Sequence, residues 1–334
     1  MHKKLFTPGP VEVRQEVLSQ MALPLIGHRG KDASQLQENI INNFKKIFYT
    51  NEQILLSTSS GSGLMEGAIR SCTLKKAAVF SIGAFGDRWY EMAISNNIVA
   101  DKFEKQWGEA FTKEEIERVL ETGEYDLITI THNETSTGVM NPIEEIAEVI
   151  GKYPDIIFCV DAVSSAVGSK IEVDKLGIDI LITSSQKCIG LPPGMSVCTF
   201  STKAIKRAEK VTYRGKYFDL LSLYKYIKDK NYQYPSTPSI SHMYALDYQL
   251  NYIVNKEGIE NRFRRHKVMA KITEEWADKY FELFADKKYL SNTVTTIKNV
   301  RNIDFSYLNN ELGKRGFQIS NGYGILKDKT FRIA

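Results

Sequence analysis

The sequence has no apolar run approaching the roughly 18 residues of a membrane-spanning helix. Its early pair Leu5-Phe6 is cut off at once by Thr7-Pro8-Gly9-Pro10, which leaves no core for a signal peptide. A cytoplasmic protein with no membrane partner is expected. Cysteine is scarce: the 4 residues Cys72, Cys159, Cys188 and Cys198 form no CxxC pair, and each sits inside an apolar stretch. Zinc and disulfide frameworks both fit badly, so all are read as reduced thiols and no metal is expected. An excess of one charge is also missing. Lys plus Arg is 44 against 40 for Asp plus Glu, and a net +4 spread over so large a surface gives no footprint for nucleic acid. The basic run Arg262, Arg264, Arg265, His266, Lys267 is flanked by Glu257, Glu260, Glu274 and Glu275 on one expected helix, which reads as a solvated face. Internal repeats and low-complexity segments are absent as well. The expected partner is a small molecule.

What the chain does have is ordinary globular material. Hydrophobic residues are 43% and charged ones 25%, with 22 Gly and 9 Pro, which excludes disorder and fibrous architectures. Its 334 residues suggest two domains at about 150 residues each. From about residue 54 to 202, short apolar runs alternate with amphipathic segments of helical length, the pattern of an α/β fold whose mainly parallel sheet is covered on both faces. Candidate strands are Ile54-Ser57, Ala77-Ile82, Ile98-Phe103, Asp126-Thr131, Ile156-Val160, Asp179-Thr183 and Val197-Phe200. Thr112 and Glu115 form a capping-box pattern before Ile116, and Pro142 stands where a first helical turn tolerates it. Beyond Pro238 comes a long helical stretch, Ser239 to about Phe281, then strand, helix and strand at Thr293-Ile297, Ile303-Arg315 and Phe331-Ala334. A large domain over 16–240 and a smaller α+β domain over 241–334, joined by the N-terminal segment 1–15, are expected.

Three features point to chemistry. Ser59-Ser60-Gly61-Ser62-Gly63 follows a strand and opens a helix, so free N–H groups and hydroxyls gather at the positive end of a dipole, where a phosphate binds well. An ordinary strand-to-helix turn explains the loop equally well on its own. A dinucleotide fingerprint does not, because its third glycine comes one place late, at Gly67. Asp161 ends a buried strand at the edge where open α/β sheets place ligands. Lys187, in Ser185-Gln186-Lys187, brings an amine to that same edge; a plain Asp-Lys salt bridge is the simplest account of the pair. Together, however, an anchor for phosphate, a carboxylate and an amine are what pyridoxal 5'-phosphate requires.

Seven segments then carry a resemblance: Thr7-Pro8-Gly9-Pro10, Gly27-His28-Arg29, Ser60-Gly61-Ser62-Gly63, Thr131 to Gly138, Val160-Asp161, Ser185-Gln186-Lys187 and Pro192-Pro193-Gly194. In order and approximate spacing they resemble the class V aminotransferases, in the alanine-glyoxylate and serine-pyruvate branch, over nearly the whole chain. The resemblance implies the fold-type I architecture of pyridoxal-phosphate enzymes, with a seven-stranded large domain. It implies that Lys187 carries the cofactor as a Schiff base and moves the substrate proton, and that Asp161 pairs with the ring nitrogen. Ser60, Gly61 and Ser62 are implied at the phosphate, Phe85 stacked on the ring, and Ser136 and Gln186 beside it. Tyr234 and Thr237 would reach the phosphate of the other subunit in a homodimer with shared sites. Arg332 would grip the substrate carboxylate, near Gly9. His132, as a lone histidine at a strand end, is left off the catalytic list and its role is left open.

The activity implied is transfer of the amino group of alanine or serine to glyoxylate or pyruvate. Rival readings are aminoethylphosphonate or phosphoserine transamination, which lack a second phosphate-binding cluster here, and a lyase such as a cysteine desulfurase, which lacks a cysteine after Cys198. A nicotinamide dehydrogenase fails on the displaced glycine. A non-catalytic scaffold that holds the cofactor is a further alternative, against which Lys187, Asp161 and Arg332 stand together. The sequence stops at Ala334, where the family usually adds a helix and a strand, so a truncated or incompletely packed small domain is expected.

Overall fold

The computed structural model describes residues 2–334. The large sheet is built from β1 (Gln53–Ser57), β2 (Ala77–Ser81), β3 (Ala100–Glu104), β4 (Leu127–Thr131), β5 (Ile157–Asp161), β6 (Ile180–Ser184) and β7 (Ser196–Phe200). Their order is β1-β7-β6-β5-β4-β2-β3. Only β7 runs against its neighbours. All seven expected strands are present, with ends displaced by a residue or two. Every residue of β2, β4, β5, β6 and β7 is buried, because helices cover both faces and neither face needs polar side chains.

Turn chemistry sets the connections. The Thr112 hydroxyl accepts from Glu115 N and the Glu115 carboxylate accepts from Thr112 N, closing the expected capping box of helix Lys113–Leu120. Pro142 directly precedes helix Ile143–Ile150. Asp179, 3% exposed, lies immediately before β6. It accepts from Phe158 N in β5 at 2.9 Å and from Ser201 Oγ after β7 at 2.5 Å, and pairs with Lys203 at 2.8 Å. One carboxylate therefore ties together three adjacent strands, two of which lead to Asp161 and Lys187.

The helical stretch after Pro238 is broken: helix Ile240–Asn251, a wide turn over Tyr252–Glu257, then helix Ile259–Tyr280. Gly258, with φ +83°, supplies the reversal. The first helix gives Ile240, Met243, Leu246 and Leu250 to the core of the large sheet. A separate small core of Ala277, Ile297, Ile319 and Phe331 lies under the second sheet. That sheet runs in the order Lys4–Phe6, Phe317–Asn321, Thr330–Ile333, Thr295–Lys298, Glu282–Leu283. The expected strand, helix and strand appear as Thr295–Lys298, Phe305–Lys314 and Thr330–Ile333, and three further strands join them. One expectation is corrected here. The basic run is not simply a solvated face, since Arg262 is 6% exposed and bonded at 2.7 Å to Glu257, which the Gly258 turn folds back against it. No helix among the described residues is long and apolar enough to cross a membrane.

Removing the Asp179 carboxylate leaves the buried Phe158 amide and Ser201 hydroxyl without an acceptor. Asp179→Ala should therefore cost about 3 kcal/mol, read from urea unfolding of the cofactor-free protein.

Candidate active site

Asp161 closes β5 and is 4% exposed; its Oδ1 accepts from Val163 N at 2.8 Å. Burial lifts this carboxyl to about 7; the Val163 amide opposes the rise, Glu134 adds to it, and the cations Arg88 and Lys187 pull it down. In the register of the sheet Asp161 stands beside Thr131 of β4 and Ile182 of β6. Lys187 follows β6 by three residues, in a wide helical turn over Ser185–Ile189 that Gly190 ends at φ +83°. The turn is braced from within. Ser184 Oγ donates to Gln186 Oε1 at 2.6 Å and Ser185 Oγ to the Pro192 carbonyl at 2.7 Å. Burial draws Lys187 below the ordinary lysine value.

The Lys187 amine donates to the carbonyl of Pro8, and the next residue is Gly9. A side chain could not stand there. A Cβ would lie 2.6 Å from Lys187 Nζ, and φ is +124°. Val11 N bonds to the Gln186 carbonyl at 3.2 Å, so the N-terminal segment is strapped across the lysine.

Ser60 precedes the twelve-residue helix Gly61–Cys72 in an extended conformation, and its side chain does not cap that helix. The first helical amides are thereby left for an outside anion. A Cβ on Gly61 would stand 2.7 Å from Val163 Cγ2, so this loop and the Asp161 turn touch. Ser62 Oγ accepts from Arg88 at 3.2 Å, and the Arg88 guanidinium carbon lies 4.7 Å from the centroid of the Phe85 ring. Phe85 is in the first turn of helix Ala84–Ser95, with its ring 5.6 Å from that of Tyr323. Tyr234 accepts at its hydroxyl from Thr58 N of its own chain at 3.0 Å, and Thr237 is exposed.

Arg332 is 8% exposed and held at two points: Nε donates to the Asn321 carbonyl at 3.0 Å and Nη1 to the Thr135 carbonyl at 3.1 Å. Its guanidinium carbon is 5.6 Å from the centroid of the Tyr323 ring. Ser136 is engaged within the chain. It is fully buried, its hydroxyl donates to Glu134 Oε1 at 2.6 Å and accepts from Ala84 N at 3.2 Å, and no hydrogen remains on it for a ligand. Sequence reasoning misses Glu134 and Arg88, although a Glu inside an otherwise small and polar motif is a signal for the first. His132 is buried: Nδ1 pairs with Ser165 Oγ at 2.9 Å, and burial lowers it to about 4, so the ring is neutral. A cavity of about 650 Å³ opens on the side of Lys187 that faces Pro8, Arg262 and Met269, and Asp161, Ser60 and Phe85 do not line it.

These groups fit pyridoxal phosphate on structural grounds. A buried carboxylate lifted by desolvation wants a cation such as a protonated ring nitrogen, an uncapped helix start wants a phosphate, and a lysine with a lowered pKa is ready to condense with an aldehyde. The first of these can be checked without turnover. A carboxyl raised from 3.8 to about 7 keeps its proton longer in the native than in the unfolded chain. The stability it lends is full below about pH 4 and is lost as pH rises toward 7. Cofactor-free Asp161→Asn should therefore exceed cofactor-free wild type in stability at pH 8, by up to about 4 kcal/mol. The gap should close toward pH 4, as followed by thermal unfolding.

The family model for class V aminotransferases matches residues 15–326. An uncharacterized aminotransferase of Methanocaldococcus jannaschii is 40% identical, covering 99% of this chain and 87% of that protein. The serine–glyoxylate aminotransferase of Arabidopsis thaliana is 31% identical, covering 98% of this chain and 84% of that protein. Among solved structures, the alanine–glyoxylate aminotransferase of Nostoc sp. superposes with a TM-score of 0.93 at 27% identity, covering 100% of this chain and 90% of that one. The strand-end carboxylate and lysine, the open helix start and these relatives lead to one family: the chain belongs to the class V aminotransferases and is a pyridoxal-phosphate-dependent enzyme.

Proposed function

We propose that the protein moves the amino group of a small amino acid, alanine or serine, to a 2-oxo acid, glyoxylate or pyruvate, in two half-reactions at one site. The observation that carries the residue roles is the meeting of Asp161, Lys187 and the open start of helix Gly61–Cys72 at one edge of the sheet, with Arg332 held nearby. Pyridoxal phosphate bound there supplies an electron sink for the charge left when a substrate α-proton departs. Lys187 Nζ takes that proton and returns it, a role suited to an amine whose pKa burial has lowered. Asp161 would hold a proton on the ring nitrogen of the bound group. The amides of Gly61 and Ser62, with the Ser60 hydroxyl, hold the phosphate. Arg332 presents its guanidinium to the substrate carboxylate, a planar match that lysine reproduces poorly. Glyoxylate is favoured as acceptor because the Arabidopsis and Nostoc relatives are both named for it while their donors differ.

Borohydride reduction of the holoenzyme should fix the cofactor to Lys187, and Lys187→Ala should abolish transfer while the cofactor stays bound noncovalently. Label mapped to another residue would overturn the assignment. A screen of donors against glyoxylate and pyruvate then decides the substrate pair.

We further propose a cytoplasmic homodimer in which Tyr234 and Thr237 complete the neighbouring subunit's phosphate site. The exposure of Thr237 in the single chain supports its part in this reading, whereas Tyr234 is buried and accepts from Thr58 N of its own chain. If Lys187→Ala and Thr237→Ala each prove strongly impaired, a purified mixed dimer should exceed both, since one of its sites carries neither lesion. A mixed dimer no more active than its parents, or an active monomer by light scattering, would count against shared sites.

A further inference from the structure

Glu134 is a buried carboxyl for which the proposed reaction has no use. Its side chain is 0% exposed, and four donors converge on it. Phe85 N at 3.0 Å and Gly86 N at 3.1 Å reach Oε2, while Ser136 N at 3.0 Å and Ser136 Oγ at 2.6 Å reach Oε1. Three of these partners, the amides of Phe85, Gly86 and Ser136, can only donate and favour the ionised form, against burial, which pushes this carboxyl above its usual range. Two of the donors are first-turn amides of helix Ala84–Ser95, and the Ala84 amide goes to Ser136 Oγ. Glu134 and Ser136 thus cap, from a distant segment, a helix whose own N-cap residue is Gly83 and has no side chain to offer.

A local cap is sterically impossible. A Cβ at position 83 would lie 2.5 Å from Ser136 Oγ and 2.6 Å from Glu134 Cγ. The close approach of the two segments forces glycine there and transfers the capping to Glu134. The turn so capped carries Phe85. Glu134 also lies close enough to bias both Asp161 and Arg332 electrostatically, so it belongs to the site and not only to the scaffold.

We propose that Glu134 is a positioning residue: capping helix Ala84–Ser95 as an anion, it fixes the Phe85 ring against the cofactor and takes up the hydroxyl hydrogen of Ser136, so that Ser136 is a support for Glu134 and not a donor to the cofactor. This rests on the reading of Phe85 as the stacking aromatic.

The amide of Glu134→Gln has the same shape, but its NH2 must face a donor on one side or the other, so the first turn loses part of its hold. Pyridoxal phosphate is titrated into the cofactor-free wild type, Glu134→Gln, Phe85→Ala, the double variant and Ser136→Ala, and the visible circular dichroism of each bound form is recorded. Expected are a loss of affinity of more than fivefold and an altered dichroic band in Glu134→Gln, and no further loss in the double variant beyond that of Phe85→Ala. Ser136→Ala, which removes one of the four donors to Glu134 and the acceptor of the Ala84 amide, should lose less affinity than Glu134→Gln. Any of three results overturns the proposal: Glu134→Gln within fivefold of wild type, losses that multiply in the double variant, or a Ser136→Ala loss as large as that of Glu134→Gln. A purely structural cap would lower the melting temperature without moving the dichroic band. Should Glu134→Gln fail to fold, Glu134→Asp, which keeps the charge but withdraws it by one methylene, is read by the same criteria. A wild-type chain that takes up no cofactor would instead defeat the reading on which this proposal rests.

Discussion

A carboxylate at the buried end of β5, with a single short bond to the Val163 amide, is the constraint from which the rest of the site follows. Left alone, Asp161 is costly to keep ionised at neutral pH, and burial pushes it up to about 7. The protein does not relieve that cost with a close salt bridge. Lys187 turns instead to the Pro8 carbonyl, and Arg88 to Ser62 and the face of Phe85. Asp161 thus has no close cationic partner among the described residues, and the same burial draws Lys187 below its usual value. Two desolvated ionisable groups held apart can each take a ligand, whereas the same two in contact would have been only a salt bridge.

The large sheet is what makes this separation rigid. Asp161 and Lys187 leave adjacent parallel strands at the same edge, and Asp179, just before β6, locks those strands to each other and to β7. Because β4 to β6 are buried on both faces, a shift in register would disrupt packing on both, so the spacing of Asp161 and Lys187 is set by the stability of the core.

Much of this is legible in the chain alone, for a physical reason. Doubly covered strands are continuous apolar runs, and a charged residue at the end of such a run stands out, as Asp161 and Lys187 both do. The small sheet gives no such signal. Lys4–Phe6 and Glu282–Leu283 are too short to show a period, and in Phe317–Asn321 only Ile319 is buried. Ser136 shows the second limit. Sequence places a hydroxyl and a carboxylate side by side in Asn133-Glu134-Thr135-Ser136 but does not say which spends its hydrogen bonds on the other. That depends on the approach of Gly83, more than fifty residues (136 − 83) earlier in the chain.

The small sheet's part in the chemistry follows from its strand order. Lys4–Phe6 pairs with Phe317–Ile319, and Ser320-Asn321 pairs with Phe331-Arg332. The segment that sets Gly9 over Lys187 and the strand that carries Arg332 are therefore joined through one intervening strand, and both extend from the same small unit toward the large sheet. Any displacement of that unit moves the group assigned to the substrate carboxylate and the backbone that occupies the lysine amine together. The N-terminal segment is bonded to both halves of the protein: to Gln186 through Val11 and to Gln249 through Arg14 on one side, and to the small sheet on the other.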